Sequence, residues 1–343
     1  MSNFNIPIIA LDAMGGDRGI FPNIEAAVNS INETNVKIIL VGDEKLINTE
    51  LKKYKIKKPE NLTIYHTTET ISMEDAPATS IRQKKDSSIV VGTKLVAEKK
   101  ANAFVSAGNS GAVMASALMN IKRLPNILRP AIATILPTLK NFCVVLDVGA
   151  NVDCKPKYLL QFAIMGNEYV KEIYGISKPR IGLLSIGKEK SKGNELTLQA
   201  YELIEKSGLN FIGNIEGNDI PQGNVDVVVC DGFVGNIILK FGEGVAEMLF
   251  NLIKLQLKKH PLAFASIPFL WGALKDLLKR VDYSEYGGAP LLGIDGTCII
   301  CHGISNSKAI FNAIKVAVDS VRKNINEKIS EEMKKYTVTE SEN

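Results

Sequence analysis

Glycine, asparagine, aspartate and lysine gather in this 343-residue chain into short runs that directly follow apolar segments. The runs are Asp12-Ala13-Met14-Gly15-Gly16-Asp17, Ala107-Gly108-Asn109-Ser110-Gly111, Asp147-Val148-Gly149-Ala150-Asn151, Ser185-Ile186-Gly187 with Lys192-Gly193-Asn194 after it, and Asp231-Gly232-Phe233-Val234-Gly235-Asn236. Glycine lets a backbone approach an anion closely, and a helix that starts beyond each run turns free N–H groups toward it. Any one such glycine more often serves a tight turn. The recurrence points instead to an anion site, with phosphate as the first candidate. Lys192 offers such a site a cation and Asn236 a neutral amide donor. The plainer readings are a solvated loop lysine beside Lys188 and Lys190, and a helix N-cap.

Sharper motif matches mislead. Gly182-Leu183-Leu184-Ser185-Ile186-Gly187-Lys188 follows most of a nucleotide-binding P-loop, but Glu189 stands where a magnesium-binding hydroxyl is needed. No G-x-G-x-x-G run follows an apolar segment, so a dinucleotide cofactor has no signature. Cys298-Ile299-Ile300-Cys301-His302 fits the haem-attachment pattern, yet such haem needs an exported chain and these residues read as a buried strand. Zinc lacks a second cysteine pair, and His66 and His260 are isolated. There is no G-x-S-x-G elbow around Ser110. A substrate that is itself the nucleophile needs none; it needs a site for its own charge and donors where charge develops.

The elements that position these runs are short apolar segments at residues 6–11, 36–41, 62–65, 103–106, 144–147, 181–184, 211–215 and 225–230, with two more at 291–294 and 297–301. They alternate with helical stretches, and many are apolar at consecutive positions, as in strands covered on both faces. The expected fold is α/β, Rossmann-like, with a mainly parallel sheet. In such a sheet the carboxyl ends share one rim, where the five runs are expected to converge. One domain is expected over residues 1–325 and a charged, frayed tail over 326–343.

Apolar residues make up 45% and charged residues 23%, ordinary for a globular protein. The net charge of +4 is too mild for a nucleic-acid binder. No charged, apolar leader opens the chain and the five cysteines form no disulfide framework, so a cytoplasmic protein is expected.

Together the runs resemble the PlsX phosphate acyltransferases of bacterial phospholipid synthesis, over residues 8–318. The resemblance is carried by Ala10-Leu11-Asp12-Ala13-Met14-Gly15-Gly16-Asp17, Ser106-Ala107-Gly108-Asn109-Ser110-Gly111-Ala112, Asp147-Val148-Gly149-Ala150-Asn151, Gly213-Asn214-Ile215-Glu216-Gly217, Asp231-Gly232-Phe233-Val234-Gly235-Asn236, Leu291-Leu292-Gly293 and Cys301-His302-Gly303. It implies a three-layer α/β/α sandwich similar to the isocitrate and isopropylmalate dehydrogenase fold, as a homodimer. It implies transfer of a fatty acyl group from acyl carrier protein to inorganic phosphate, without cofactor or metal. The acyl phosphate then passes to a membrane glycerol-3-phosphate acyltransferase. Lys192 and Asn236 become the expected catalytic residues, as charge neutraliser and oxyanion donor. Asp12, Gly15, Gly16, Gly108, Asn109, Ser110, Gly111, Asp147, Asn151, Asn194, Asn214, Glu216, Asp231 and His302 become expected substrate or phosphate contacts.

The family also has a projecting helical hairpin, matched here by residues 245–281. Leu262, Phe264, Ile267, Phe269, Leu270 and Trp271, flanked by Lys258, Lys259, Lys275, Lys279 and Arg280, suit peripheral contact with the cytoplasmic face of a membrane. A dimer interface or core fits them equally well. Two other functions compete: a metal-dependent dehydrogenase on the related fold with Asp12, Asp147 or Asp231 as ligands, and a non-catalytic membrane scaffold.

Overall fold

The computed structural model describes residues 6–259 and 282–338, together with Gly272 and Lys275. Its strands are β1 (Ile8–Asp12), β2 (Lys37–Gly42), β3 (Leu62–His66), β4 (Ala103–Ser106), β5 (Ala131–Pro137), β6 (Phe142–Leu146), β7 (Ile181–Leu184), β8 (Phe211–Ile215), β9 (Val227–Val229), β10 (Ala289–Leu292) and β11 (Thr297–Ile300). They form one 11-stranded sheet in the order β3-β2-β1-β4-β11-β10-β5-β6-β9-β7-β8. The central strands β4, β7, β9 and β11 are buried at every position, which is why they read as unbroken apolar runs.

Helices cover both faces. In the first half, α1 (Phe21–Glu33), α2 (Glu44–Leu51) and α9 (Ser307–Arg322) pack on one face through Ile24, Ile47 and Ile310. The helices α4 (Ser88–Ala97) and α5 (Ser110–Asn120) pack on the other through Ile89 and Val113, with α3 (Pro77–Gln83) beside α5. In the second half α6 (Pro156–Tyr174), α7 (Glu195–Glu205) and α10 (Ile325–Val338) share one face. The opposite face is covered by the turn of 3-10 helix Gly217–Gln222 and the start of the long helix α8 (Gly232–Lys259). The α/β expectation is met.

The single rim is not. Strands β1 to β4 and β11 run parallel, as do β6 to β9, but the two sets are joined through β10 and β5, whose pairings β11–β10, β10–β5 and β5–β6 are all antiparallel. Three reversals point the two halves in opposite directions. The registers bring them together: Ile132 pairs with Leu291, and Ala133 with Leu146. The carboxyl ends of β4 and β11 therefore meet those of β6 and β9 head-on across β5 and β10. Sequence reading missed β5, because Pro130 and Pro137 bracket it and Thr134 interrupts its apolar run.

A second correction concerns the C-terminus. Residues 326–338 are not a frayed tail but most of α10, which packs on α6 through Ile325, Ile329 and Met333, each at most 2% exposed. The spacing of four gives a helix a narrow apolar face, overlooked among the surrounding charges. Residues 339–343 lie outside the described residues.

Candidate active site

Each half of the sheet ends in a buried aspartate that organises a loop. Asp12, at the end of β1, accepts N–H groups of Met14 (3.0 Å) and Gly15 (3.1 Å) on Oδ1 and the Ser106 hydroxyl (2.7 Å) on Oδ2. A methyl group at Gly15 would lie 2.5 Å from Asp12 Oδ2 and 2.6 Å from the Gly108 nitrogen, so glycine is needed where the β1 and β4 loops nest. Gly16, at φ +102°, takes a backbone conformation that disfavours side chains, and Asp17 N–H donates to Gly303 O (2.8 Å). That bond ties the first loop to the one carrying His302.

Asp147, just past β6, accepts from the backbone of Ile132 (2.9 Å), Ala150 (3.1 Å) and Asn151 (2.7 Å) and from Asn151 Nδ2 (2.9 Å). Asn151 Nδ2 also reaches Pro130 O at 2.7 Å. At Gly235 a methyl group would collide with the Asp147 carbonyl oxygen, so the first turn of α8 lies directly on this loop. Burial raises the carboxyl pKa of both Asp12 and Asp147, against the pull of their hydrogen bonds.

Between the two loop pairs lies a cavity of about 660 Å3. Ser110, the first residue of α5, lines it with Gly149, Asn236, Lys240 and His302. Asn236 and Lys240 are one turn apart on α8 and so share a face. Lys240 Nζ lies 2.9 Å from His302 Nε2 and 3.1 Å from Glu243 Oε2. Partial desolvation and then the Lys240 charge hold the His302 pKa below the ordinary imidazole value. Away from this polar group the lining turns apolar: Ile132, Leu136 and Pro137 of β5, Ile220 and Pro221, and Ile238 and Leu239 of α8.

Of the expected site residues the cavity thus gathers Ser110, Asn236 and His302. The others stand behind it or beside it. Asn109 caps α5 through Ala112 N–H (3.0 Å), and its amide donates to the carbonyls of Ser72, Met73 and Asp75. Gly108 and Gly111 are packed, Gly111 with space for no methyl group beside Pro77. Asp231 accepts Val234 N–H (2.9 Å) at the start of α8. Lys192 is exposed on the neighbouring β7–α7 loop and does not line the cavity. Asn214 Nδ2 fixes that loop through Glu189 O (2.9 Å) and Lys192 O (3.3 Å), while Asn194 caps α7 at Thr197 N–H (2.9 Å). Glu216 and Asp219 close a capping box on the turn Gly217–Gln222. Sequence reading missed Lys240 and Gly149 as cavity residues; the spacing of four from Asn236 was the available sign of Lys240.

Cys298 and Cys301 are buried thiols on and just after β11, and burial pushes both up to about 12. Among the described residues no three His, Cys, Asp or Glu side chains are grouped to hold a metal ion. Leu262, Phe264, Ile267, Phe269, Leu270 and Trp271 lie outside the described residues. The helix leading to them, α8, exposes Met248, Leu249, Leu252, Ile253 and Leu255, and no described helix is long and apolar enough to cross a membrane.

Residues 8–328 match the model of the family described as fatty acid synthesis protein, the PlsX family. The chain belongs to it. Among relatives of the PlsX family chain, the phosphate acyltransferase of Endomicrobium trichonymphae is 54% identical over 96% of this chain and 98% of its own length. That of Pelotomaculum thermopropionicum is 51% identical over 94% and 93%. A phosphotransacetylase from Streptococcus pyogenes has the same fold, with a TM-score of 0.64, 18% identity and coverage of 92% and 94%.

Proposed function

We propose that this cavity transfers a fatty acyl group from the thioester of an acyl carrier protein to inorganic phosphate, releasing acyl phosphate for phospholipid synthesis. The observation that carries the reading is the two-part lining: a polar cluster of Ser110, Asn236, Lys240 and His302 opens onto an apolar groove. Phosphate suits the first part and an acyl chain the second. The family and its phosphate acyltransferase relatives support the same reaction.

In the step itself a phosphate oxygen attacks the thioester carbonyl carbon and forms the new C–O bond. The carbonyl oxygen gathers negative charge, and the Asn236 amide donates to it without changing its own charge. The C–S bond then breaks, and the carrier protein leaves as a thiolate that takes a proton from solvent. Lys192, on the adjacent loop, is proposed to neutralise the incoming phosphate, with Lys240 as the cation already at the cavity. Asp12 and Asp147 hold the loops from behind, and no covalent enzyme intermediate is needed. The test is to incubate the protein with long-chain acyl carrier protein and phosphate and to follow acyl phosphate. Formation of acyl phosphate supports the reading; none with donors of any chain length overturns it.

The working form is proposed to be a homodimer held peripherally at the cytoplasmic face of a membrane, where the product meets a membrane glycerol-3-phosphate acyltransferase. The exposed apolar side chains of α8 and the lysines and arginine on either side of residues 262–271 in the sequence support this. Replacing Phe269 and Trp271 by Asp should release the protein from anionic vesicles. Unchanged binding with an intact dimer would assign these two residues a structural role only.

A further inference from the structure

The apolar part of the cavity has a direction. Ile132, Thr134, Ile135, Leu136 and Pro137 of β5 all line it, and Ile132 and Leu136, on one face of the strand, border the same core cluster. Ile132 marks its reactive end, because its N–H donates to Asp147 Oδ1 (2.9 Å) and its carbonyl accepts Val148 N–H (3.1 Å), next to Gly149. From there to Pro137 are five strand steps, about 17 Å at roughly 3.4 Å each.

At the far end the connection between β8 and β9 lies against the β5–β6 turn. Leu139 N–H donates to Pro221 O at 2.8 Å, which pins that connection onto the β5–β6 turn. Nearby, a methyl group at Gly223 would lie 2.7 Å from Thr138 Oγ1, so the two segments are in close contact. Ile220, 4% exposed, packs into the same core cluster that Leu136 borders. Pro137 and Pro221, which line this end, have no backbone N–H to offer, so they keep it apolar.

We propose that Leu136 and Pro137, backed by Ile220 and Pro221, form the end wall of the acyl groove and set the longest acyl chain the enzyme accepts. The inference rests on reading the cavity as the acyl-transfer site. It excludes the other course open to the chain, along α8 past Ala246 and Tyr286, which also line the cavity.

The experiment measures kcat/KM for acyl phosphate formation with a series of acyl carrier protein donors from short to long. It uses the full-length chain and the variants Leu136→Phe, Leu136→Ala, Ile220→Ala and Ala246→Phe. One methylene too many in a filled apolar pocket changes kcat/KM by roughly tenfold or more. Leu136→Phe should therefore lose about tenfold with the longest donors and stay within about twofold with the shortest. Leu136→Ala or Ile220→Ala should move the optimum to longer chains, and Ala246→Phe should leave the length profile in place. Leu136 is half-buried at the groove and Ile220 is core, so if Ile220→Ala fails to fold, the Leu136 pair still decides. Equal change across all chain lengths in both Leu136 variants overturns the proposal, as does a length cut-off produced by Ala246→Phe alone. Failure of the underlying reading would show separately, as absence of acyl phosphate from the unaltered protein with every donor.

Discussion

The loop pair around Asp12 and the loop pair around Asp147 use one device to different ends. Each has a carboxylate with no exposed surface that accepts the N–H groups of the loop just beyond it. Around Asp12 two backbone N–H groups and the Ser106 hydroxyl are satisfied, and the loops lock through Gly15 and Gly108. Around Asp147 three backbone N–H groups and the Asn151 amide converge, one of them from β5, and Gly235 seats α8 on the result. The second pair thus fixes both walls of the cavity, the strand that floors the groove and the helix that carries Asn236. Buried polar groups here hold geometry, and exposed ones a few ångströms further on are left to act.

The largest effect that tests this contrast is on stability. Asp147→Ala leaves three backbone N–H donors without this acceptor and takes from Asn151 Nδ2 one of its two, and should cost about 3–5 kcal/mol, measured by urea unfolding. Asp12→Ala, with three donors affected, should cost less; an equal or greater loss would remove the distinction between the halves. The pH dependence has a definite sign. Because burial raises the folded-state pKa of both carboxyls, their contribution to stability falls as pH climbs from the ordinary aspartate value through the raised one. Asp147→Asn should flatten that part of the stability profile.

Next comes the side chain that stands in front of the scaffold. Asn236→Ala should lower turnover on the order of 100-fold, about 2.7 kcal/mol of barrier, with the fold intact. Asn236 is the fifth residue of α8, whose start is held by Asp231, so it is not the helix cap that its sequence position also allowed; a merely structural side chain there would change stability and leave the rate. Thermal melts beside kcat at saturating substrates separate the two. A folded variant with near-normal turnover would move the oxyanion role to Ser110 or His302.

A smaller effect is expected one turn along α8. Lys240 helps to hold the His302 pKa down, after desolvation, so Lys240→Met should move the His302 titration to higher pH in an NMR experiment. The sign for stability is that a histidine with a lowered folded-state pKa destabilises the fold as pH drops through its ordinary value of about 6.5. That acid loss should shrink in the variant. An unmoved titration would mean that Lys240 leaves the imidazole in the working protein.

Much of this was readable from residue order, and the failures have physical causes. Strands β4, β7, β9 and β11 are covered on both faces, so their apolar runs were unambiguous, and the polar runs after them gave the loops. The reversal of half the sheet was not readable, because it depends on pairing across β5 and β10 rather than on any local pattern. Composition could not tell Asp12 and Asp147, which face inward, from Ser110 and Asn236, which face the cavity. Burial decides that, and burial is set by the other half of the molecule. Lys240 was hidden for the same reason: its neighbour His302 is 62 residues away along the chain.

The smallest effect belongs to a part-buried polar contact at the other end of the second half-sheet. Arg180, just before β7, grips Asp226, just before β9: Nε reaches Oδ2 at 3.0 Å, Nη2 reaches Oδ1 at 2.8 Å, and the Arg180 backbone N–H adds a third bond at 2.7 Å. Burial alone would raise the Asp226 pKa, but these bonds from Arg180 outweigh it and the carboxyl titrates below its ordinary value. Its contribution is therefore present above the ordinary aspartate value and lost as pH falls through the lowered one. The Arg180 side chain is 39% exposed, which places solvent around the charge and limits the pair to about 1 kcal/mol. Arg180→Met should cost about that much in urea unfolding at neutral pH and start acid unfolding at a higher pH. Turnover should stay within about twofold, since it is the carboxyl end of β9, not this end, that leads into the cavity-lining helix α8. A tenfold loss of rate in a stable variant would show that the amino ends of these strands also tune the site, and that scaffold and chemistry are not separable along the strand.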